Sequence, residues 1–243
     1  MPTRARDPLS RLARLEGVGS AMAAARDGID ALLRDRGLRR TTPHMTAESL
    51  LRGAHASAVL EGSGSSAQGI RDTGGDRLAQ AAVRLSTELL GLAPTWERSP
   101  LQVVARLHML AGKDEAPDDD LGRPRDDAAA GRLRDLGRLL TEPTTAPALV
   151  VAAVVHAELV SAAPFVSHNG LVARAAERLV LASRGVDAKS LVVPEAGHLA
   201  LRREYESNLR GYAAGGRDGV HAWLLYAAEA YAKGAEASPL AGS

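Results

Sequence analysis

Residues 148–183 read ALVVAAVVHAELVSAAPFVSHNGLVARAAERLVLAS and contain the most apolar run of the chain. The first eight of these residues are all alanine, leucine or valine, which predicts a helix that is buried on every side. A break at Ala163–Pro164 ends this helix, and a second helix is predicted to begin at Asn169–Gly170. Because a membrane span needs about 20 apolar residues, the run is too short to cross a bilayer, and we expect it at the centre of a globular core.

Composition favours the same fold class. Alanine and leucine supply 46 and 34 of the 243 residues, whereas aromatic residues supply 3%. Alanine and leucine are strong helix formers and strand-forming residues are scarce, so we predict an all-α fold. The chain has no cysteine, which excludes thiol nucleophiles and cysteine-ligated metals and fits a reducing compartment. The stretch after Met1 lacks the apolar segment of an export signal, so we expect a cytoplasmic protein.

The charge balance excludes two classes of partner. The chain carries 30 basic and 29 acidic residues, which gives a net charge of +1. Such a chain has no general electrostatic field that would attract nucleic acid or an anionic membrane. We therefore expect neither of them as a partner, and the sequence leaves the oligomeric state open.

The helical periodicity indicates one main domain with an addition at each end. We predict an N-terminal helical extension over residues 1–45 and a main domain over residues 46–235, whose first helix spans 46–62. A flexible tail is predicted over 236–243. After Gly62, the SGSS stretch of residues 63–66 is predicted to be flexible, and Gly74–Gly75 indicate a turn.

Secondary structure is also predicted for two further segments of the main domain. The stretch 112–131 is acidic, contains prolines and is the least helical part of the chain. We expect an irregular flap there, with a short hairpin as the alternative. Nearer the C-terminus, residues 194–212 are predicted to form a single helix, followed by another over 219–233.

The common catalytic and metal-binding motifs are missing from the sequence. It contains no HExxH zinc motif, no GxxxxGK[ST] phosphate loop, no GxSxG nucleophile turn and no strand-led GxGxxG. Its seven histidines show no paired ligand spacing, so we predict no metal site. The acidic run Asp118–Asp120 lacks the alternation and the glycine of a calcium loop.

The turn between the two helices of 148–183 is the best candidate site. Asn169 is a favoured N-cap residue, and Gly170 lets a ligand approach the backbone closely. Free N–H groups at a helix N-terminus attract anions. Arg174 can fold back towards them, and Arg178 follows one turn later. These residues predict a phosphate site, with an ordinary capped helix as the alternative.

The same turn resembles the signature of the Fic (Fido) family, H-P-F-x-[D/E]-G-N-G-R-x-x-R. Aligned without gaps from Ala163 onwards, the chain shares the proline, the phenylalanine, the asparagine, the second glycine and the final arginine of this signature. These five residues are Pro164, Phe165, Asn169, Gly170 and Arg174.

The inhibitory subclass of that family also has a helix that ends [S/T]-x-x-x-E-[G/N]. Ser57, Glu61 and Gly62 match this pattern at the end of helix 46–62. In the subclass, the glutamate pairs with the final motif arginine and denies it to the γ-phosphate of the nucleotide. Ser57 and Glu61 are four residues apart and share one helix face, so we expect a buried, bidentate pair between Glu61 and Arg174.

The flap and one further histidine extend the resemblance over about residues 46–233. The family's flap carries a G-x-x-R element, which Gly122 and Arg125 match. Many members have a histidine on the preceding helix where this chain has His156. The resemblance implies an all-α, Fic-like helical domain with a short flap, preceded here by the N-terminal extension.

The departures from the signature fall on its chemistry. The family's general base is the motif histidine, and here that position is Ala163, which cannot accept a proton. The family's magnesium ligand is the motif acid, and here Ser167 is a neutral and poor ligand for that cation. His168 replaces the first motif glycine, and Leu171 replaces the first motif arginine. The resemblance implies ATP as the ligand, but these changes leave magnesium without its ligand and AMP transfer without its base.

We therefore predict a Fic-fold pseudoenzyme, a binding or regulatory protein that retains a nucleotide or anion site at His168, Asn169, Gly170 and Arg174. Its expected partners are a nucleotide and a protein. One alternative is an atypical transferase that moves AMP or another phosphate-containing group to a protein, with His168 as a displaced base. The other alternative is a structural helical adaptor.

Overall fold

The computed structural model describes residues 7–34, 42–113 and 115–241. Every regular element within these ranges is helical and none is a strand, which confirms the all-α prediction. A short 3₁₀ turn at Asp118–Asp120 accompanies the α-helices. In chain order the α-helices are α1 (Pro8–Leu12), α2 (Val18–Leu32), α3 (Pro43–Leu60), α4 (Ala67–Thr73), α5 (Arg77–Trp96), α6 (Pro100–Gly112), α7 (Asp127–Thr141), α8 (Ala148–Ala162), α9 (Asn169–Ser183), α10 (Pro194–Ala200), α11 (Arg202–Ala213) and α12 (Arg217–Glu236).

Helix α8 forms the centre of the molecule, as its apolar run predicts. Its residues from Leu149 to Ala157 are all buried. It packs most extensively against α9, and α7, α11 and α12 also contact it. On the α12 side, the indole Nε1 of Trp223 donates a hydrogen bond of 2.8 Å to the carbonyl oxygen of Ala153. Neighbouring helices therefore cover α8, which is why it needs no polar face. Among the described residues, no helix has both the length and the hydrophobicity needed to cross a bilayer.

The N-terminal helices pack onto this centre through their apolar faces. Helix α2 lies against α12 and buries Val18, Met22 and Ile29. It starts after Gly17, which takes a left-handed conformation with φ 73°. Helix α3 packs against α5 and α10, and α5 packs against α6 and α9. Through these contacts the described helices of the N-terminal extension become part of the same core.

Two bounds in the first half of the chain differ from the prediction because of helix caps. The predicted helix 46–62 corresponds to α3, which begins earlier, at Pro43, since the Thr42 side chain accepts a first-turn N–H. Between the predicted flexible stretch 63–66 and the predicted turn at Gly74–Gly75 lies an additional helix, α4, which Ser66 caps in the same way. Such caps satisfy backbone donors that an uncapped turn would leave to water.

The flap and the C-terminal region differ as well. No hairpin forms in the described residues of 112–131, and α7 already begins at Asp127. The single helix predicted over 194–212 is divided into α10 and α11, because Leu201 takes a non-helical conformation with φ −110° and ψ 37°. The segment after α12, expected to be a flexible tail, is packed where it is described, since Leu240 is fully buried. The domain bounds at 45 and 235 stay predictions.

The contact between α10 and α12 leaves room for no side chain at position 197. A Cβ on Gly197 would overlap the carbonyl oxygen of Ala230 on α12. We expect Gly197→Ala to lower the free energy of unfolding by about 2–3 kcal/mol because a helix backbone must shift to admit the methyl group. Urea denaturation measures this change.

The matched control for this prediction is Gly28→Ala on α2. Nothing lies within 4 Å of a Cβ at Gly28, so the helix-propensity gain of about 1 kcal/mol should appear as stabilisation. Equal effects of the two substitutions on the free energy of unfolding would contradict the close packing of α10 on α12.

Candidate functional site

The candidate site is the loop of residues 163–168 between α8 and α9, here called the motif loop. Ala163 ends α8 in a left-handed conformation with φ 40° and ψ 59°. His168 leads into α9 with φ 57° and ψ 18°. Left-handed backbone angles are costly for residues that carry a Cβ. Contacts with the surrounding structure, and not the intrinsic preference of the backbone, therefore hold the loop in its shape.

The side chain of Asn169 closes the motif loop and does not cap α9. Its Oδ1 accepts the N–H of Phe165 at 2.9 Å, and its Nδ2 donates to the Phe165 carbonyl oxygen at 2.9 Å. This corrects the predicted N-cap role, because His168 occupies the N-cap position and makes no side-chain capping bond. The first-turn N–H groups of α9 have no helical acceptor, so they are available to an anion.

The flap contacts the motif loop directly through the backbone of Arg125, and indirectly through Gly122 and the His108 side chain of α6. Gly122 donates its N–H to His108 Nδ1 at 2.9 Å, and Arg125 donates its N–H to the Pro164 carbonyl oxygen at 2.8 Å. The His108 ring stacks on Phe165 with centroids 4.2 Å apart. Flap and loop therefore form one packed unit.

Arg174 is a buried charge whose three nitrogens all donate hydrogen bonds. Nε donates to Ser57 Oγ at 2.8 Å, and Nη1 donates to the Tyr205 hydroxyl at 2.9 Å. Nη2 donates to the Ser57 carbonyl oxygen at 3.2 Å and to Glu61 Oε1 at 2.7 Å. Glu61 thus pairs with Arg174, but through one hydrogen bond and not the expected bidentate fork. The fork is missing because Ser57 and Tyr205 engage the other two nitrogens.

The charge of Arg174 is maintained in spite of burial. Burial acts to lower the pKa of its guanidinium, but Tyr205 and Glu61 outweigh that effect and raise the pKa above its usual value. The side chain is only 1% exposed, whereas that of Glu61 is 28% exposed. Glu61 is therefore the partner that solvent can reach.

The Glu61 carboxylate lies over the start of α9. A Cβ on Gly170 would overlap Glu61 Oε1, so a glycine is needed here for the carboxylate to reach Arg174. A helix N-terminus and a guanidinium both attract negative charge. Glu61 consequently stands where an anion held by these groups would lie. Gly62, with φ 103°, turns the chain directly afterwards.

Arg178, one turn further along α9, binds a different set of groups. Its Nη2 donates to Ser49 Oγ at 2.7 Å, and its Nη1 donates to Glu195 Oε1 at 3.3 Å. A Cβ on Gly53 would overlap the guanidinium, so this glycine allows α3 to approach α9. Arg178 therefore ties α3 and α10 to α9 and does not contribute to the motif loop.

Behind Arg174 runs a buried chain of hydrogen bonds that the sequence did not predict. The Tyr205 hydroxyl, which accepts from Arg174, lies 2.9 Å from His156 Nε2. His156 Nδ1 in turn lies 2.8 Å from Glu177 Oε2. This series of hydrogen bonds links the Arg174 guanidinium near the motif loop to the Glu177 carboxylate in the centre of the core.

Glu177 takes part in hydrogen bonds with two further side chains. His198 Nε2 lies 3.1 Å from its Oε2, and the Tyr231 hydroxyl lies 2.8 Å from its Oε1. His198 Nδ1 pairs with the Tyr226 hydroxyl at 2.8 Å. Side chains from α8, α9, α10, α11 and α12 therefore meet in one buried cluster, here called the Glu177 network.

One assignment of protons satisfies every member of the Glu177 network. Tyr205 donates to His156 Nε2, and His156 donates from Nδ1 to an ionised Glu177. Burial lowers the pKa of His156 to about 4, so its ring is neutral at pH 7. Burial acts to raise the pKa of Glu177, but His156 and His198 outweigh it and hold the pKa below its usual value. The opposite charges of Arg174 and Glu177 lie at the two ends of this series of hydrogen bonds.

Three members of the network also have the spacing of a metal site. The ligand atoms of His156, Glu177 and His198 lie within 4.8 Å of one another. Each of these residues is already hydrogen-bonded within the network, so a bound cation would have to displace protons that now satisfy it. His156 and Glu177 are 21 residues apart, and so are Glu177 and His198. Metal-ligand pairs on one helix are recognised in a sequence by spacings of three or four residues. These three residues therefore gave no metal-site pattern in the sequence.

The replaced positions of the motif loop make contacts of their own. Ser167 Oγ lies 2.7 Å from His168 Nδ1. His168 Nε2 lies 3.5 Å from Oε2 of Glu115, a flap residue that sequence reasoning did not single out. Ala163 offers only a methyl group. The structure therefore brings Ser167, His168 and Glu115 together on one side of the loop.

The buried histidine predicts a loss of stability at acid pH. The folded protein holds the pKa of His156 at about 4, against a usual value of 6.5, so between these values the unfolded chain binds more protons. The contribution of His156 is therefore complete above pH 6.5, and about 3 kcal/mol is lost as the pH falls towards 4. Urea denaturation between pH 7.5 and 4.5 measures this dependence.

Two variants test whether His156 causes this dependence. His156→Gln should lower the free energy of unfolding at pH 7 and flatten its fall between pH 6.5 and 4.5. His44→Gln, on an exposed part of α3, should leave the profile unchanged. Parallel pH profiles for the unaltered protein and His156→Gln would contradict the assignment.

Comparison with known proteins gives a structural match and no sequence match. No protein-family model and no curated protein matches the sequence. A Fic family protein from Desulfovibrio desulfuricans G20 superposes with a TM-score of 0.72 and 18% identity, covering 89% of this chain and 73% of the other. Fic-1 from C. elegans superposes with a TM-score of 0.71 and 16% identity, covering 93% and 72%. Identities this low establish the fold alone, and by this likeness the chain has the Fic fold.

Proposed function

We propose that this Fic-fold chain is a pseudoenzyme towards AMP transfer and acts as a binding or regulatory protein. The observation that carries the proposal is Ala163 at the position of the family's general base, at the end of α8. Its methyl group cannot take a proton from an attacking hydroxyl. Loss of a general base alone lowers a rate by about 10²–10⁴-fold.

The metal position of the motif supports the same proposal. Nucleotidyl and phosphoryl transfer depend on cations that neutralise the phosphates, and Ser167 offers a neutral hydroxyl instead of a carboxylate. This hydroxyl is already engaged with His168 Nδ1. The His168 ring faces Ser167 through one nitrogen and Glu115 through the other, which argues against its use as a displaced base for AMP transfer.

The proposed ligand site is an anion site that Glu61 regulates. An anion that binds Arg174 and the start of α9 must displace the Glu61 carboxylate, since both would occupy the same place. Glu61 is the more exposed partner of the pair, whereas Ser57 and Tyr205 are buried. We propose a nucleotide or another anion as the ligand, with a protein partner controlling the position of α3.

Incubation with ATP labelled on its α-phosphate and with magnesium tests the loss of AMP transfer. We expect no incorporation of label above that of a heat-denatured control, because Ala163 and Ser167 supply neither base nor metal ligand. Ala163→His alone should not restore incorporation, because Ser167 still lacks a charge. Robust labelling of the unaltered protein that His168→Ala abolishes would overturn the proposal and support the atypical transferase.

Removal of the Glu61 carboxylate tests the anion site. Glu61→Ala should lower the free energy of unfolding by about 1–2 kcal/mol, because Arg174 loses one charged hydrogen bond and keeps those to Ser57 and Tyr205. ATP and pyrophosphate, added without magnesium, should then raise the melting temperature of the variant more than that of the unaltered protein.

The control for this experiment is Glu88→Ala, which removes an exposed glutamate from α5. Neither its stability nor its response to ATP should differ from those of the unaltered protein. A Glu61→Ala variant that neither ATP nor pyrophosphate stabilises would contradict the anion site and favour a structural adaptor.

A further inference from the structure

The residues that replace the family's chemistry form a different catalytic arrangement. Ser167 Oγ lies 2.7 Å from His168 Nδ1, and His168 Nε2 lies 3.5 Å from Glu115 Oε2. A nucleophile in hydrogen-bond reach of a base, with a third group beside that base, is the signature of covalent catalysis. We propose that Ser167, His168 and Glu115 form a nucleophile–base–carboxylate set that hydrolyses an ester. This inference goes beyond the proposed function and does not depend on it.

His168 Nε2 is buried and has no hydrogen-bond partner, and the nearest carboxylate is that of Glu115. Glu115 lies beside Nε2, which favours the tautomer protonated at Nε2. Nδ1 then keeps its lone pair and accepts the hydroxyl proton of Ser167, as a general base must. The 3.5 Å separation between Nε2 and the carboxylate is longer than a hydrogen bond, and such contacts often tighten only when substrate binds. Glu115 is a positioning residue in this arrangement.

The backbone places the nucleophile next to donors for an oxyanion. Ser167 lies two residues before the start of α9, and the first-turn N–H groups of that helix have no helical acceptor. Backbone N–H groups of this kind stabilise the oxyanion of an acyl-transfer intermediate, and here the oxyanion takes the place of the Glu61 carboxylate, which lies over the start of α9. His168 holds its left-handed φ of 57°, and strained non-glycine residues of this kind cluster at functional sites. The Asn169 clamp on Phe165 keeps the loop rigid.

The exposure of Ser167 and of its neighbour Val166 indicates how a substrate reaches the nucleophile and which class of substrate fits. Ser167 is partly exposed, so its hydroxyl can meet a carbonyl carbon from solvent. Val166, immediately before it, is 49% exposed and apolar. An apolar neighbour beside the nucleophile suits the acyl chain of an ester whose oxyanion lies against α9.

The reaction balances with water as the only co-reactant. Ser167 Oγ bonds to the carbonyl carbon of the ester while its proton passes to His168 Nδ1. The bond from carbon to the leaving oxygen then breaks, and the proton on Nδ1 leaves with the alcohol. Water next attacks the acyl-serine, its proton passes through Nδ1 to Ser167 Oγ, and the carboxylic acid leaves.

A fluorophosphonate probe tests the nucleophile directly. It reacts with an activated serine by forming an oxygen–phosphorus bond and losing fluoride, while the serine proton passes to the base. Incubation of the full chain with the probe, followed by proteolysis and mass spectrometry, should place one adduct on Ser167. Ser167→Ala should abolish labelling, whereas Ser20→Ala, on an exposed part of α2, should label at the unaltered rate.

The base is tested by the rate of labelling. His168→Gln should lower the maximal labelling rate by about 100-fold or more, the contribution expected of a general base. His44→Gln provides the matched histidine control and should have no effect. Thermal unfolding of each variant verifies that the fold is intact, so a loss of labelling cannot arise from misfolding alone.

Glu115 requires a measurement that separates positioning from binding. Glu115→Gln should lower the maximal labelling rate by about 10-fold while leaving the probe concentration for half-maximal rate unchanged, and Glu115→Asp should restore part of that rate. The proposal is overturned if the probe labels no residue, labels a different residue, or labels His168→Gln as fast as the unaltered protein. None of these outcomes bears on AMP transfer, which the labelled-ATP experiment measures separately.

Discussion

The buried guanidinium of Arg174 is the interaction on which the arrangement around the motif loop depends. A charge removed from water needs every donor satisfied and an opposite charge nearby. Ser57 and Glu61 from α3 meet these needs on one side, and Tyr205 from α11 meets them on the other. One side chain therefore sets the relative positions of α3, α9 and α11. The glycine at position 170 follows from this constraint, since no other residue admits the Glu61 carboxylate.

The same requirement extends through the core to Glu177. Its carboxylate is fully buried and is balanced by hydrogen bonds that lead back to Arg174 through His156 and Tyr205. A buried polar network stabilises a fold only when each member is satisfied. This accounts for the placement of the scarce aromatic residues: three of the four tyrosines of the chain belong to the Glu177 network.

The residues of the motif loop and of α9 that match the Fic signature have structural roles in this chain. The shared residues each hold the fold together: Asn169 clamps Phe165, and Arg174 binds α3. Leu171, at the place of the first motif arginine, is only 1% exposed and belongs to the hydrophobic core. The residues shared with the Fic signature therefore have packing roles that do not depend on any transfer chemistry.

The sequence by itself determined the all-α class, the buried course of α8 and the pairing of Ser57 with Glu61 on one helix face, because these depend on neighbours within one or two turns. Only the tertiary structure decided the partners of buried polar groups. Arg174 and Ser57 are 117 residues apart, and His156 and Tyr205 are 49 apart. The packing of the helices determines such partners, and residue spacing within one helix does not predict them. The Asn169 side chain finds its partner Phe165 only four residues away, but the shape of the motif loop decides whether it clamps that loop or caps α9. Contacts with the surrounding structure hold that shape, so it too was decided by the tertiary structure.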